Sequence, residues 1–234
     1  DLRSPVAGME NVIKNLLKSR RIDVPIQSGP EQNGLVPNVM IPVSTLERIT
    51  DGCDRQLRMI DSMLNTHAIE RLGVELQCQP VLLDSLISDV LTDWQLELSA
   101  SRVTVINEVE PTLPPVDGDY YQLWRVFDNL ISNAIKYSPP DFTLTVCAKL
   151  QPDSRQMICT IQDDGSGIDI DLEGDLFELY HRGETVKPSQ GLGLGLYICR
   201  RIVEAHNGCI GVNSKLKKGT TVWFTLPVSV PTST

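Results

Sequence analysis

The chain has 234 residues, enough for one large domain or two small ones, and its 41% hydrophobic and 22% charged shares suit an ordinary globular protein. A formal net charge of −9 and a pI near 4.8 leave no basic face to neutralise a phosphate backbone, which excludes nucleic acid as the expected partner. No apolar run approaches the ~18 residues of a membrane span, and no signal peptide precedes the first helical pattern.

Six cysteines (Cys53, Cys78, Cys147, Cys159, Cys199 and Cys209) are scattered without a C-x-x-C pair. They are expected to be buried, reduced thiols in a reducing compartment. The chain opens at Asp1 without Met, inside a helical pattern, so the expectation is a cytoplasmic fragment of a longer protein. Membrane attachment of that parent through upstream parts stays open.

Leu2, Val6, Met9, Ile13 and Leu16 recur at helical spacing and stop after the basic cluster Lys18 to Arg21. Residues 22–42, rich in Pro, Gly, Gln and Asn, read as a long loop. A near-heptad seam follows at Leu46, Ile49, Cys53, Leu57, Ile60 and Leu64. Two such helices form an antiparallel hairpin that cannot cover both apolar stripes alone. A four-helix bundle between two copies is the expected solution, with packing against the rest of the chain as the alternative.

The pattern changes near Leu72-Gly73, so residues 1–72 and 73–234 are expected as two domains. Val74 to Val81 alternates like a strand, Leu82 to Leu98 reads as a helix, and Val103 to Val109 as a strand. A turn through Pro111, Pro114 and Pro115 leads to a helix from about Asp119 to Tyr137. Strands Phe142 to Leu150 and Met157 to Gln162 pair through a turn at Gln151-Pro152-Asp153. A short helical segment at Leu176 to Tyr180, a polar loop, a helix to Ala205 and strands Cys209 to Ser214 and Thr221 to Leu226 complete the chain. This order predicts an α+β fold: the hairpin, then a two-layer sandwich with helices on one face of a sheet.

Three stretches carry chemistry. Gly191-Leu-Gly-Leu-Gly-Leu196 opens a helix whose free N–H groups and positive dipole end can meet phosphate; a plain turn is the alternative. Asn129, Asn133 and Lys136 share one face of their helix, where amide oxygens suit Mg²⁺ and an ammonium suits phosphate; an ordinary polar helix face would look the same. Asp163-Asp-Gly-Ser-Gly-Ile168 follows a buried strand and can receive an exocyclic base amine, or be only an Asp/Gly turn.

Taken together, these stretches resemble the boxes of sensor histidine kinases. Asn129 to Ser138 is similar to the N box, Asp163 to Ile168 to the first glycine box, Leu176 to Tyr180 to the F box, and Gly191 to Leu196 to the second glycine box. His206-Asn-Gly208 and Lys218-Gly-Thr-Thr221 resemble the closing segments, and the leading hairpin resembles the dimerisation and phosphotransfer domain.

The resemblance implies ATP and Mg²⁺ as cofactors. It implies that Asn133 coordinates the metal, that Asn129 is a second polar group near metal and phosphates, and that Lys136 contacts phosphate. Tyr137 would lie against the nucleotide, Asp163 would accept the adenine amine, and Gly165, Gly167 and Ile168 would line the base pocket. Gly191, Leu192, Gly193, Leu194 and Gly195 would cradle phosphates and hinge a lid at about 181–190, with Arg182 and Lys187 as its cations; Thr221 closes the set.

Asp1-Leu-Arg-Ser4-Pro5 resembles the H box, in which the phosphoacceptor His directly precedes the acidic residue, and here that His is expected just before Asp1. Asp1 would be general base or orienting carboxylate, and Ser4 stands where a water-positioning Thr or Asn is common. His67, His181 and His206 are expected in structural or surface roles. The implied function is ATP-dependent phosphorylation of a histidine in a homodimer, then transfer to an Asp of a response regulator. Two alternatives stay open: a nucleotide-binding scaffold without transfer, and a gyrase-type ATPase, which carries Glu where Asn129 stands.

Overall fold

The computed structural model describes residues 66–67, 69–152, 155–168, 176–178 and 193–229. By its internal contacts the chain divides into two units, Asp1–Asp61 and Ser62–Thr234. The expected hairpin and its 22–42 loop lie outside the described residues, apart from the helical positions at 66–67 and 69–72. That helix stops at Gly73, whose φ of +77° and N–H bond to the Ile69 carbonyl (3.0 Å) make a left-handed C-terminal cap.

The second unit is an α+β sandwich. Its five-stranded sheet runs β2 (Thr104–Asn107), β4 (Thr143–Leu150), β5 (Gln156–Asp163), β7 (Thr220–Pro227), β6 (Ile210–Ser214). β2 pairs parallel with β4 and the other neighbours pair antiparallel. β1 (Gln79–Val81) and β3 (Val116–Gly118) form a separate antiparallel pair.

Beyond the helical positions at 66–72, the described residues of the unit form helices α1 (Leu83–Asp93), α2 (Gln95–Ala100), α3 (Tyr120–Tyr137) and α4 (Gly195–Ala205). Leu144, Val146 and Ala148 on β4, Met157, Cys159 and Ile161 on β5, and Phe224 and Leu226 on β7 alternate along their strands to present one buried face. Against it lie Leu123, Val126, Phe127, Leu130 and Ile131 of α3 and Ile198, Ile202 and Val203 of α4, at helical spacing. Phe127 meets Phe224 edge-to-face at 5.3 Å, joining the two layers.

A second join is polar. Asp119 caps α3, its Oδ1 accepting from the Gln122 N–H (3.1 Å) and its Oδ2 from the Gln77 N–H (2.9 Å). Its own N–H donates to Nε2 of His206 (2.9 Å), so the ring proton sits on Nδ1 and goes to the Ile202 carbonyl (2.8 Å). His206, 1% exposed, is thereby a structural residue that ties the end of α4 to the start of α3.

Several expectations change in detail. The helix expected over Leu82 to Leu98 is broken at Trp94 (φ −89°, ψ 3°), whose indole N–H turns to Asp128 Oδ1 at 2.8 Å. Of the strand expected from Val74, only Gln79–Val81 pairs, because its partner β3 is three residues long. Residues 176–178 form a turn rather than a helix. Cys147, Cys159 and Cys199 are buried and free as expected, but Cys78 and Cys209 are exposed, since each lies in a loop just ahead of a strand; Cys53 is outside the described residues.

Candidate functional site

The site forms where β5 ends, α3 ends and α4 begins. Asp163 is the last residue of β5, paired with Leu144 on one side and Thr220 on the other. Its Oδ1 accepts from the Gly165 N–H at 2.9 Å. Partial burial pushes the acid above the ordinary carboxylate range, and the nearby Gly165 N–H, Ser138 hydroxyl and Thr220 N–H oppose that rise.

Gly165 has to be glycine for space. A Cβ there would overlap the Ser138 hydroxyl and stand 2.9 Å from Asp163 Oδ1. The following residues are stapled to the β6–β7 turn: Ile168 N–H donates to Ser214 Oγ (2.8 Å), and Lys217 N–H donates to the Ser166 carbonyl (2.6 Å). Ser214 Oγ in turn donates to the Gly219 carbonyl (3.0 Å). Gly167 (φ +63°) and Gly193 (φ +71°) both take left-handed backbone.

The second cluster lies further back along α3. Asn129 donates its Nδ2–H to the Arg125 carbonyl (2.8 Å), which turns Oδ1 towards α4, where a Cβ on Gly195 would lie 3.0 Å from it. Leu194, at the start of α4, is buried and holds that end of the helix in the core. Asn133 is half-buried on the same face as Asn129, and Lys136 and Tyr137 are exposed on the last turn. Ser138 is nine residues beyond Asn129, roughly 13 Å along the axis. The two clusters are thus spaced like the ends of an extended nucleotide.

The structure therefore places Asp163 and Gly165 together, Asn129 with Gly195, and Gly167 and Ile168 against the β6–β7 turn. Asp1, Ser4, Arg182, Lys187, Gly191 and Leu192 lie outside the described residues. Thr221 takes the opposite face of β7 from Val222 and Phe224 by strand alternation; its neighbour Thr220 is the one bonded to Asp163. Sequence reasoning also missed Ser214, whose only signal was a hydroxyl a few residues ahead of Lys218-Gly-Thr-Thr221.

The donor set fits an adenine nucleotide: a half-buried acceptor for the base amine at one end, amides and a helix N-terminus for phosphate at the other. Among the described residues no three His, Cys, Asp or Glu side chains gather to hold a metal. A divalent ion would rest on the amide oxygens of Asn133 and Asn129 together with phosphate oxygens.

Comparison with known proteins agrees. Residues 118–230 match the family described as histidine kinase-, DNA gyrase B-, and HSP90-like ATPase. The chain is 32% identical over 232 residues to the adaptive-response sensory kinase SasA of Synechococcus elongatus, a match over 97% of this chain and 57% of that protein. The histidine kinase AdeS of Acinetobacter baumannii shares the fold, with a TM-score of 0.73 at 17% identity over 98% of both chains. The histidine kinase ThkA, solved in complex with response regulator protein TrrA, gives 0.70 at 18% identity over 97% of this chain and 59% of that one.

Fold and family match thus define residues 118–230 as an α/β domain of the ATPase class shared by histidine kinases, DNA gyrase B and HSP90. Within that class, the relatives that the chain resembles over nearly all of its length are named sensory kinases. The chain spans about half the length of the SasA proteins it matches.

Proposed function

We propose that this chain is the catalytic core of a two-component sensor histidine kinase. Residues 1–72 are the dimerising hairpin that presents the acceptor histidine, expected just ahead of Asp1, and residues 73–234 bind Mg-ATP. The observation that carries the reading is the half-buried Asp163 carboxylate at the end of β5, held by the Gly165 N–H at 2.9 Å, on the same domain as an α3 face whose Asn129 amide meets the start of α4.

Bound Mg-ATP supplies an activated γ-phosphoryl group whose charge the metal partly neutralises. Asp163 accepts the exocyclic amine of adenine and fixes the base. Asn133 and Asn129 offer amide oxygens to the metal, and Lys136 offers a point charge to phosphate. Tyr137 packs against the nucleotide, while Gly193 to Gly195 bring backbone N–H groups to the phosphates and Arg182 and Lys187 close over them. Asp1 orients or deprotonates the accepting imidazole, and Ser4 stands beside it. Positioning and charge neutralisation carry most of the acceleration in such transfers. The partners are a second copy of the chain and a response regulator receiver domain, and the compartment is the cytoplasm. Among the described residues no helix is long and apolar enough to cross a membrane.

The test is a phosphoprotein assay on the parent protein, with ATP, Mg²⁺ and a receiver domain. The expected product is an acid-labile, base-stable phosphoprotein that loses its label to the receiver, and Asn133→Ala should abolish it. Steady ATP hydrolysis with no phosphoprotein would instead favour a gyrase-type ATPase.

A further inference from the structure

We infer that Ser214 is a positioning residue for nucleotide recognition: its hydroxyl, at the end of β6, bolts the glycine loop that follows Asp163 to the β6–β7 turn and so sets the base end of the pocket. This rests on the proposed reading of the site and deepens it. Ser214 faces Thr220 across β6 and β7, and Thr220 faces Asp163 across β7 and β5. Directly opposed residues of antiparallel strands share a face, so the three side chains form one row at the end of the sheet. Ser214 Oγ lies 3.0 Å from Thr220 Oγ1, accepts from the Ile168 N–H at 2.8 Å and donates to the Gly219 carbonyl at 3.0 Å. A carbonyl can only accept, so the serine proton is committed to Gly219 and the Thr220 hydroxyl donates to Ser214.

Backbone contacts also hold this loop. Lys217 N–H donates to the Ser166 carbonyl at 2.6 Å, and Gly167 lies so close to the turn that a Cβ on it would collide with the Lys215 carbonyl. No side-chain exchange at Ser166 or Lys217 deletes that backbone bond. Ser214→Ala does delete the bond to Ile168, and it leaves a half-buried N–H without its acceptor. The Ile168 bond fixes the far end of a loop whose near end, Gly165, donates to Asp163 Oδ1 at 2.9 Å. With both ends fixed, the carboxylate and the glycine backbone stand in one place relative to the base. With the far end released, the loop can follow a different base, and a ligand that needs it ordered binds more weakly. Hypoxanthine puts a carbonyl where adenine has its amine, and its ring N–H reaches a carboxylate only if ring or loop shifts. A fixed loop therefore rejects it more strongly than a released one.

The test measures binding of non-hydrolysable ATP and inosine triphosphate analogues to the full chain, by titration calorimetry well below each variant's melting temperature. Ser214→Ala is expected to weaken the ATP analogue roughly ten-fold, the scale of one buried donor left unpaired. It should weaken the inosine analogue less, and so narrow the preference for adenine. Ser214→Thr returns a hydroxyl at a strand position and should restore both affinity and preference. Ser214→Cys, a weaker donor and acceptor, should fall between wild type and Ala, and it carries the test if Ala folds poorly. If wild type binds no adenine nucleotide, the site reading fails. If wild type binds and Asp163→Asn does not, yet the Ala and Cys variants keep the wild-type base preference and lose only melting temperature, Ser214 merely braces the turn and its assignment alone is overturned.

Discussion

Two polar corners of this domain, a buried one at His206–Asp119 and a half-buried one at Asp163, behave differently in the structure. At the His206–Asp119 corner both ring nitrogens are used, one accepting from Asp119 N–H and one donating to the Ile202 carbonyl. At the Asp163 corner the hydrogen bond the chain gives the carboxylate comes from the Gly165 N–H, which leaves acceptor capacity, and partial burial makes its charge costly. The first corner is complete within the chain and holds helix to helix. The second keeps acceptor sites open to a donor from outside, which is the difference expected between a structural polar group and a binding one.

The comparison can be broken most sharply at His206. His206→Ala leaves the Asp119 N–H and the Ile202 carbonyl without partners and opens a cavity, with an expected loss of about 3–5 kcal/mol. Urea unfolding should report that loss while the folded fraction still binds nucleotide at wild-type affinity. Gly165→Ala acts at the other corner: its methyl overlaps the Ser138 hydroxyl, so nucleotide affinity, read by calorimetry, should fall by about 2–3 kcal/mol, the scale of overpacking.

A pH series sharpens the contrast, and its sign follows from the raised Asp163 acid. The folded chain holds that proton more tightly than the unfolded chain does, so the ionised carboxylate is a cost to stability at neutral pH. As pH falls towards the carboxylate range the nucleotide-free domain should gain stability from this group, while nucleotide binding declines. Asp163→Asn should remove that gain in a melting series. Asp128, also raised by burial and opposed by the Trp94 N–H, Lys136 and Arg125, contributes with the same sign. The smallest effect is expected for Trp94→Phe, which deletes the indole donor to Asp128 and should cost about 1 kcal/mol in denaturant unfolding with little change in nucleotide affinity.

Much of this fold was legible because its elements are long and periodic. The helix read from about Asp119 to Tyr137 appears as Tyr120–Tyr137 with Asp119 as its cap, and the strands flanking Gln151-Pro152-Asp153 pair antiparallel as a hairpin should. What escaped was short or depended on distant partners. Three residues of β3 carry too little pattern to be seen, and the break at Trp94 follows from a hydrogen bond to a residue on another helix. In the site, glycine boxes marked Asp163 and Gly195 because their spacing is local. Ser138 comes against Gly165, and Thr220 pairs with Asp163, only when α3 and β7 arrive beside β5, and alternation along β7, not motif position, distinguishes Thr220 from Thr221.

The most direct measurement is titration calorimetry of a non-hydrolysable ATP analogue into wild type and Asp163→Asn, with the melting temperature of each taken in the same buffer. The account predicts a loss of affinity of at least a hundred-fold, about 2.7 kcal/mol, with a melting temperature equal to or above that of wild type. Wild-type affinity in the variant, or a loss of binding matched by a loss of folding, would contradict it.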